Sequence, residues 1–366
     1  MSVPEHTRAE QTGSASPETA PPAPAETSSP IERALSRARA QLFASTSPVW
    51  IFLALLVIVA VFGVMRPNQF LSSFDIRTIF INAAVALMLS VGMTFVIITA
   101  GIDLSVGSVL VISGVLAGKV MIAAGGGALH AVNAGWGPIL LGILVGLVVG
   151  IAWGVLNGVL IALLDIPPLI VTLGSFGMAL GLADVATGGV DVSGVPSQFG
   201  TTLGSGSIGP FPTLVVIAAV VTIVAGLVLH LTRFGRYTYA IGSNPEAARR
   251  AGIRVSAHLI KVYALAGLLS GLGGVLSLAY FTTTTISGHV TDNLTAISAV
   301  VIGGTSLFGG RGTMFGTVVG VFIPVVLASG LVIVGVQSFW QQVVIGAILI
   351  IAVYFDQLRR RARSRQ

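Results

Sequence analysis

The sequence predicts an all-α integral membrane protein, a bundle of about ten transmembrane spans with both termini in the cytoplasm. Hydrophobic residues make up 54% and charged residues 9% of the 366 residues, whereas a soluble domain carries roughly 25% charged residues because water must wet its surface. Several long stretches contain no Asp, Glu, Lys or Arg, and glycines recur every fourth residue over 142–158 and 312–320. Such glycine spacing is typical of helices packed closely in lipid. The composition excludes an ordinary soluble enzyme.

The spans are placed by dividing the charge-free stretches at clusters of Gly, Pro, Asn and Ser. A helix needs roughly 20 apolar residues to cross the hydrocarbon core. The eighth predicted span is short for a full crossing, which leaves a tilted or a re-entrant helix open. The ten predicted spans lie near 49–65, 78–100, 105–123, 137–163, 168–187, 212–232, 258–281, 294–308, 313–334 and 338–355.

The basic residues predict the orientation. With a cytoplasmic N-terminus and ten alternating spans, 16 of the 19 Lys and Arg fall inside, and only Arg66, Arg77 and Lys119 fall outside. The positive-inside rule therefore favours this topology. The net charge of +6 follows from the same distribution. Its expected neighbours are anionic lipid headgroups, not nucleic acid, because the basic residues form no face interleaved with aromatic side chains.

The ends of the chain differ from its middle. Residues 1–30 are rich in Pro, Ala, Glu, Thr and Ser and have almost no large apolar residue, which predicts a disordered cytoplasmic tail. Residues 31–47 include a candidate amphipathic helix along the inner membrane interface. The transmembrane domain is expected over 48–356, followed by a basic cytoplasmic tail at 357–366.

Several kinds of chemistry are absent from the sequence. It has no Cys, and its five His never occur at metal-ligand spacing, so we expect no metal site. A phosphate-binding loop of the form G-x-x-x-x-G-K-S/T is also missing. We therefore expect no cofactor in this chain. If transport is driven by ATP, another polypeptide binds the nucleotide.

A few polar residues fall inside the predicted bundle. Such side chains commonly bond a backbone carbonyl or a neighbouring helix, and the alternative is that they line a path for a polar, uncharged solute. The acidic residues Asp103, Asp165 and Asp292 fall at predicted span ends, which argues against ion coupling. The candidates for the path are Asn82, Asn157, Thr172 and Ser175.

The loop between the sixth and seventh spans, 233–257, is the only long charged insert in the predicted membrane domain. Asn244 is a good N-cap, Pro245 suits a first helical position, and Gly252 offers a left-handed end. The sequence predicts a helix of about two turns here. It is interpreted as a docking element for a partner, with a plain basic topogenic loop as the alternative. The residues assigned to it are Arg236, Asn244, Pro245, Glu246, Ala247, Ala248, Arg249 and Gly252.

This loop also carries a family resemblance. E-A-A-x-x-x-G at 246–252 resembles the EAA loop by which bacterial ABC-importer permeases dock on their ATPase subunits. It lies within GRYTYAIGSNPEAA (235–248), which is similar to the signature of ribose/xylose/arabinose/galactose-type sugar permeases. Further matches, in the family's order over roughly 48–356, are AGIDLSVGS (100–108), NG (157–158), PLIVTLG (168–174) and AVVIGGTSLFGGRGT (299–313).

Two of these matches are glycine-rich and fall where a predicted span turns back at the cytoplasmic side. Glycine permits tight turns there, and Asp103 and Ser105 can cap the helix that follows. The residues of these two signature turns are Gly101, Asp103, Ser105 and Gly107 in the first, and Gly303, Gly304, Thr305, Ser306, Gly309, Gly310 and Gly312 in the second.

The resemblance implies a transport subunit that is not itself an enzyme, in a bacterial inner membrane. It implies a homodimer or pseudo-dimer of permeases, a separate ABC ATPase subunit and an extracytoplasmic solute-binding protein. Two departures leave the sugar open: Thr295 replaces an Asp, and Leu180-Gly181 replaces Arg-Gly, both beside the presumed path. A permease for a nucleoside or a branched-chain amino acid, or an ion-coupled carrier, remains as an alternative.

Overall fold

The computed structural model describes residues 48–337 and, between 339 and 354, residues 339–341, 343–344, 346–347, 350–351 and 354. The tail predicted at 1–30, the amphipathic helix predicted within 31–47 and the basic tail predicted at 357–366 lie outside the described residues. Part of the tenth predicted span, 338–355, lies outside them too. The described residues within that span are helical.

Helices make up nearly all of the regular structure in the described part of the chain. A two-residue hairpin pairs β1 (Ser207–Ile208) with β2 (Phe211–Pro212) in antiparallel register. Short 3-10 turns lie at Ala131–Asn133 and Ser287–His289, and a π-turn lies at Gly200–Gly204. The helices are α1 (Pro48–Met65), α2 (Pro67–Phe70), α3 (Ser73–Ile98), α4 (Val106–Ala124), α5 (Trp136–Ala162), α6 (Pro168–Thr187), α7 (Ser197–Phe199), α8 (Thr213–Leu231), α9 (Arg233–Ser243), α10 (Pro245–Arg250), α11 (Val255–Phe281), α12 (Asp292–Ile302) and α13 (Met314–Ile333).

Seven of these helices are long and apolar enough to cross a membrane: α3, α4, α5, α6, α8, α11 and α13. In α1 the stretch Trp50–Met65 is apolar but shorter. The prediction of an all-α polytopic membrane protein is therefore confirmed.

The eighth predicted span, 294–308, does not form one continuous helix. Helix α12 has 11 residues, and a helix of that length rises about 16 Å, roughly half the thickness of the hydrocarbon core. It ends at Ile302 because Gly303 caps it and Gly304 then turns into the left-handed region at φ +88°. The chain continues as a turn until α13 begins at Met314.

The middle of the bundle is built on close helix contacts. A Cβ on Gly150 of α5 would overlap the carbonyl oxygen of Gly267 on α11, and a Cβ on Gly267 would overlap the carbonyl oxygen of Gly150. The glycine stripe of α5 therefore lets two 27-residue helices touch backbone to backbone. In lipid, where little hydrophobic force acts between helices, such close approach drives association. Most span residues of α3 and α11 are buried, whereas only 28% of those of α5, α6 and α8 are buried.

Candidate functional site

A short charged helix follows α9, where the sequence predicted one. The Oδ1 atom of Asn244 accepts the backbone N–H of Ala247 at 2.9 Å, which caps α10. Pro245 occupies the first helical position. Gly252 follows the helix with φ +82°, a left-handed conformation that few other residues adopt. Local sequence signals therefore determine both ends of α10.

One face of α10 is anchored and the other is free of the bundle. Ala248 is buried, in a cluster with Ile241 of α9 and Val255 of α11. Glu246 forms ion pairs with Arg249 at 2.9 Å and Arg250 at 3.3 Å, and these three side chains are 54%, 63% and 80% exposed. Exposed ion pairs contribute only about 0–1 kcal/mol to stability. The charged face is therefore not explained by the folding of this chain. Arg236, on α9, is exposed as well.

The coupling region, which we define as α9 and α10 (233–250), contacts the end of α3 and the second signature turn at Gly242. A Cβ on Gly242 would overlap the carbonyl oxygen of Ile98, the last residue of α3. The backbone N–H of Gly310 donates to the same Ile98 oxygen at 2.8 Å. The hydroxyl of Tyr239 donates to the carbonyl oxygen of Gly312 at 2.7 Å. The end of α3, the end of α9 and the 303–313 turn therefore meet at one junction.

The second signature turn is shaped by left-handed backbone. Gly304, Gly309 and Gly310 have φ values of +88°, +80° and +72°. The N–H of Ser306 donates to the carbonyl oxygen of Arg311 at 3.1 Å, which closes the turn. Beside it, Gly303 packs against Gly316 of α13, Thr305 is buried, and Gly312 packs against Thr305.

The first signature turn holds a buried carboxylate. Asp103 is 2% exposed, and its Oδ1 atom accepts the N–H of Ser105 at 2.9 Å and the hydroxyl of Ser105 at 2.6 Å. The amide of Asn157 donates to the Ser105 hydroxyl oxygen at 2.9 Å. Burial raises the pKa of the Asp103 carboxyl, and the hydrogen bonds from Ser105 oppose that shift. Asp103 follows α3, as expected, but the bundle encloses it completely.

Glycines fit this turn against its neighbours. A Cβ on Gly101 would lie 2.7 Å from the hydroxyl oxygen of Tyr263, and a Cβ on Gly107 would lie 2.7 Å from the carbonyl oxygen of His289. Both distances are too short for a Cβ, so a side chain at Gly107 would have to move backbone, and one at Gly101 would have to displace the Tyr263 side chain. The turn thereby touches α11 on one side and the segment before α12 on the other.

Three of the four residues proposed for a solute path form helix contacts at or near the first signature turn, and the fourth lies elsewhere. Asn157 is buried against Ser105, Thr172 donates to the carbonyl oxygen of Pro168 at 2.8 Å, and Ser175 accepts the indole N–H of Trp153. These three side chains make contacts within and between helices, as the alternative interpretation of the polar residues in the bundle expected. Only Asn82 is exposed, and it lines a cavity of about 910 Å³.

This cavity contains polar residues that sequence reasoning missed. Asp75 and Ser329 line it, and so does Thr295, which was noted only as a departure from the family pattern. Asp75 was placed outside the second predicted span, which began at residue 78 after Arg77. The helix begins at Ser73, capped by the Ser72 hydroxyl, which accepts the N–H of Asp75 at 3.1 Å. That Ser-x-x-Asp spacing was the available signal for the earlier start.

The bundle of apolar helices, together with a capped charged helix anchored between α9 and α11, defines a polytopic membrane protein of the permease class. The chain belongs to the family described as "Branched-chain amino acid transport system / permease component", whose model matches residues 76–353.

Curated relatives match most of the chain. The ribose import permease of Bacillus subtilis (strain 168) is 38% identical over 307 residues, covering 84% of this chain and 91% of the relative. The D-allose transport system permease of Escherichia coli (strain K12) is 34% identical over 84% of this chain and 90% of its own length. The fructose import permease of Rhizobium meliloti is 35% identical over 88% of this chain and 89% of the relative. No solved structure matches the chain.

Proposed function

We propose that this chain is the membrane-spanning subunit of an ATP-driven importer for a monosaccharide. The observation that carries the proposal is the exposed charged face of α10, anchored between α9 and α11 in a chain whose relatives are named as sugar import permeases. A branched-chain amino acid is the second candidate solute, because the description of the matching family names it.

The proposed assembly contains other polypeptides. An ABC ATPase subunit binds α10 at the cytoplasmic side and hydrolyses the ATP, and an extracytoplasmic binding protein delivers the solute. Two copies of the permease, or this chain and a similar one, surround the path. The topology in the bacterial inner membrane is the predicted one, with about ten spans and both termini inside. The distribution of basic residues supports this orientation.

The contacts of the coupling region suggest how ATPase movement reaches the bundle. A push on α10 acts directly on α11 through the cluster of Ala248 and Val255. It also acts on α9, and through Gly242 on the end of α3 and on the 303–313 turn. Backbone contacts without intervening flexible side chains transmit a displacement with little loss, since packed interiors have low compressibility.

Uptake of labelled sugar by cells carrying the complete importer tests this function. Glu246→Lys reverses an exposed charge on the face of α10 and is expected to abolish uptake while the protein still reaches the membrane. Asp165→Asn is the control: it removes an exposed carboxylate from another predicted cytoplasmic turn, and Asn tolerates the φ of +53° found there. Normal uptake with Glu246→Lys would contradict docking at α10.

The solute is tested in the same cells with ribose, allose, fructose, galactose and leucine. The account predicts uptake of at least one sugar and no uptake of leucine. Uptake of leucine alone would replace the sugar assignment with the second candidate.

A further inference from the structure

The cavity of about 910 Å³ lies at one end of the bundle, between α3, α12 and α13. In the proposed topology this end is extracytoplasmic, because it contains the start of α3, the start of α12 and the end of α13. Its volume falls in the range of roughly 300–1,000 Å³ that is usual for small-molecule sites. The residues used in the argument are Asp75, Thr78 and Asn82 of α3, Asp292 and Thr295 of α12, and Ser329 of α13.

One carboxylate oxygen in the cavity wall has no hydrogen-bond donor in the part of the chain that the structure describes. Asp75 is 9% exposed, and its Oδ1 atom accepts the hydroxyl of Ser329 at 2.6 Å. The Oδ2 atom is buried and has no partner among the described residues. Leaving a buried polar atom unsatisfied is unfavourable, and more so for a charged group. Asp75 lines the cavity, so a molecule bound there is a source of the missing donor.

The other polar groups of the wall indicate what kind of molecule supplies that donor. Thr78 and Thr295 carry hydroxyls, and Asn82 carries an amide, and all three can both donate and accept hydrogen bonds. Lys and Arg are absent from the described residues that line the cavity. A solute carboxylate or phosphate would find no cation there and would meet Asp75 and Asp292. A neutral molecule with several hydroxyls fits this set of partners.

The side of the cavity formed by α12 is connected to α11, the helix that follows α10. The Nδ1 atom of His289 contacts the Oδ2 atom of Asp292 at 2.7 Å, and its Nε2 atom contacts the hydroxyl of Ser277 at 2.7 Å. Ser277 lies near the end of α11, and that helix starts at Val255, shortly after α10 ends at Arg250. One helix therefore joins the coupling region to the cavity.

We propose that this cavity is the outer solute subsite of the permease, where the free Oδ2 atom of Asp75 accepts a hydroxyl hydrogen from a neutral polyhydroxylated solute. The proposal rests on the proposed function, because it assumes a solute that enters from the extracytoplasmic side.

The absence of Cys from the chain allows a direct test by thiol labelling. Asn82→Cys places a thiol in the cavity wall, and Gln198→Cys places one at an exposed position of the outer loop 188–211 as a control. Spheroplasts carrying the complete importer are treated with a membrane-impermeant thiol reagent, with and without the sugar that the unaltered importer takes up. At ten times the half-protecting concentration, labelling of Asn82→Cys is expected to fall to roughly a tenth by mass action. Labelling of Gln198→Cys is expected to stay constant.

The role of Asp75 is tested by adding Asp75→Asn to Asn82→Cys. Loss of a hydrogen bond to a charged group is expected to raise the half-protecting sugar concentration roughly tenfold or more. Asp184→Asn, which removes an exposed carboxylate of α6 outside the cavity, is expected to leave the half-protecting sugar concentration unchanged. Should Asp75→Asn fail to reach the membrane, Asp75→Glu replaces it with the same expected loss, because it moves the carboxylate by one methylene.

Three results overturn the subsite: no protection of Asn82→Cys by a sugar that the cells import, equal protection with and without the Asp75 change, or protection by leucine and not by sugar. Failure of the proposed function has a different outcome, since the unaltered importer would then take up none of the four sugars.

Discussion

Gly242 is a position where a single methyl group decides whether the coupling region fits the bundle. Its Cα faces the carbonyl oxygen of Ile98, and a Cβ there would also lie 2.7 Å from the backbone nitrogen of Gly310. Neither neighbour is the end of a flexible side chain. Any side chain at this position therefore has to move backbone, either at the end of α3 or in the 303–313 turn.

Gly242→Ala is predicted to lower the stability of the solubilised protein by about 1–3 kcal/mol, the usual effect of forcing extra volume into a packed site. This effect is measured as a lower midpoint temperature of thermal unfolding, which is monitored by size-exclusion chromatography of heated samples. Uptake is expected to fall as well, because the junction transmits movement from α10.

Gly177→Ala provides the matched control. Gly177 lies in α6, and a Cβ there would meet nothing within 4 Å. The free energy of unfolding of Gly177→Ala is expected to stay within about 1 kcal/mol of that of the unaltered chain, since only helix propensity changes. Equal midpoints for Gly242→Ala and Gly177→Ala would contradict the close contact at the junction.

Among the elements, α11 runs from the coupling region to the segment that contacts the cavity wall. It packs against α5 through glycines and carries Tyr263 next to the first signature turn. At its far end, Ser277 contacts His289 at 2.7 Å. A rigid-body shift of α11 therefore reaches the buried turn and the cavity wall together.

Ser277→Ala is predicted to lower sugar uptake roughly two- to tenfold, the equivalent of one hydrogen bond of about 0.5–1.5 kcal/mol. ATP hydrolysis by the complete importer is expected to continue, because α10 is unaltered. Ser270→Ala is the control on the same helix: Ser270 is also buried, but its hydroxyl donates to the Ala266 carbonyl of its own helix at 2.9 Å. Identical uptake by the two variants would show that the contact with His289 has no part in transport.

Elements with local signals could be predicted from the sequence, and α10 is the clearest case. Its N-cap, first-position proline and terminal glycine all act within a few residues of one another. The apolar helices could be predicted too, because a long stretch without charged residues is also a local signal. The start of α3 was placed too late because Arg77 was taken as a boundary, although its guanidinium extends to the carbonyl oxygen of Ser205 at 2.9 Å.

The cavity could not be predicted in this way, because its parts are far apart in the chain. The hydrogen bond between Asp75 and Ser329 joins residues 254 positions apart, and no periodicity or spacing reports such a pair. The polar residues Asn157, Thr172 and Ser175 gave the same sequence signal as Asn82. Tertiary packing separates them, since it buries three of them in helix contacts.

At the scale of the whole molecule, the proposed topology places α10 and the cavity on opposite sides of the membrane. A reporter fused after Arg254 is predicted to be active only as a cytoplasmic reporter. A reporter inserted after Gly206, in the outer loop 188–211, is predicted to be active only outside. The side of the membrane on which each site lies is measured by comparing the activity of a cytoplasmic fluorescent reporter with that of a periplasmic phosphatase at both sites. An outside signal after Arg254 would reverse the orientation and place α10 beyond the reach of an ATPase.

The central claim is that ATP, and not an ion gradient, drives transport through this chain. Uptake of labelled sugar into cells whose ion gradients are dissipated by ionophores, with internal ATP held constant, tests it most directly. The account predicts that uptake continues at nearly its normal rate and stops when ATP is depleted. Loss of uptake on ionophore addition at constant ATP would contradict it and identify the chain as an ion-coupled carrier.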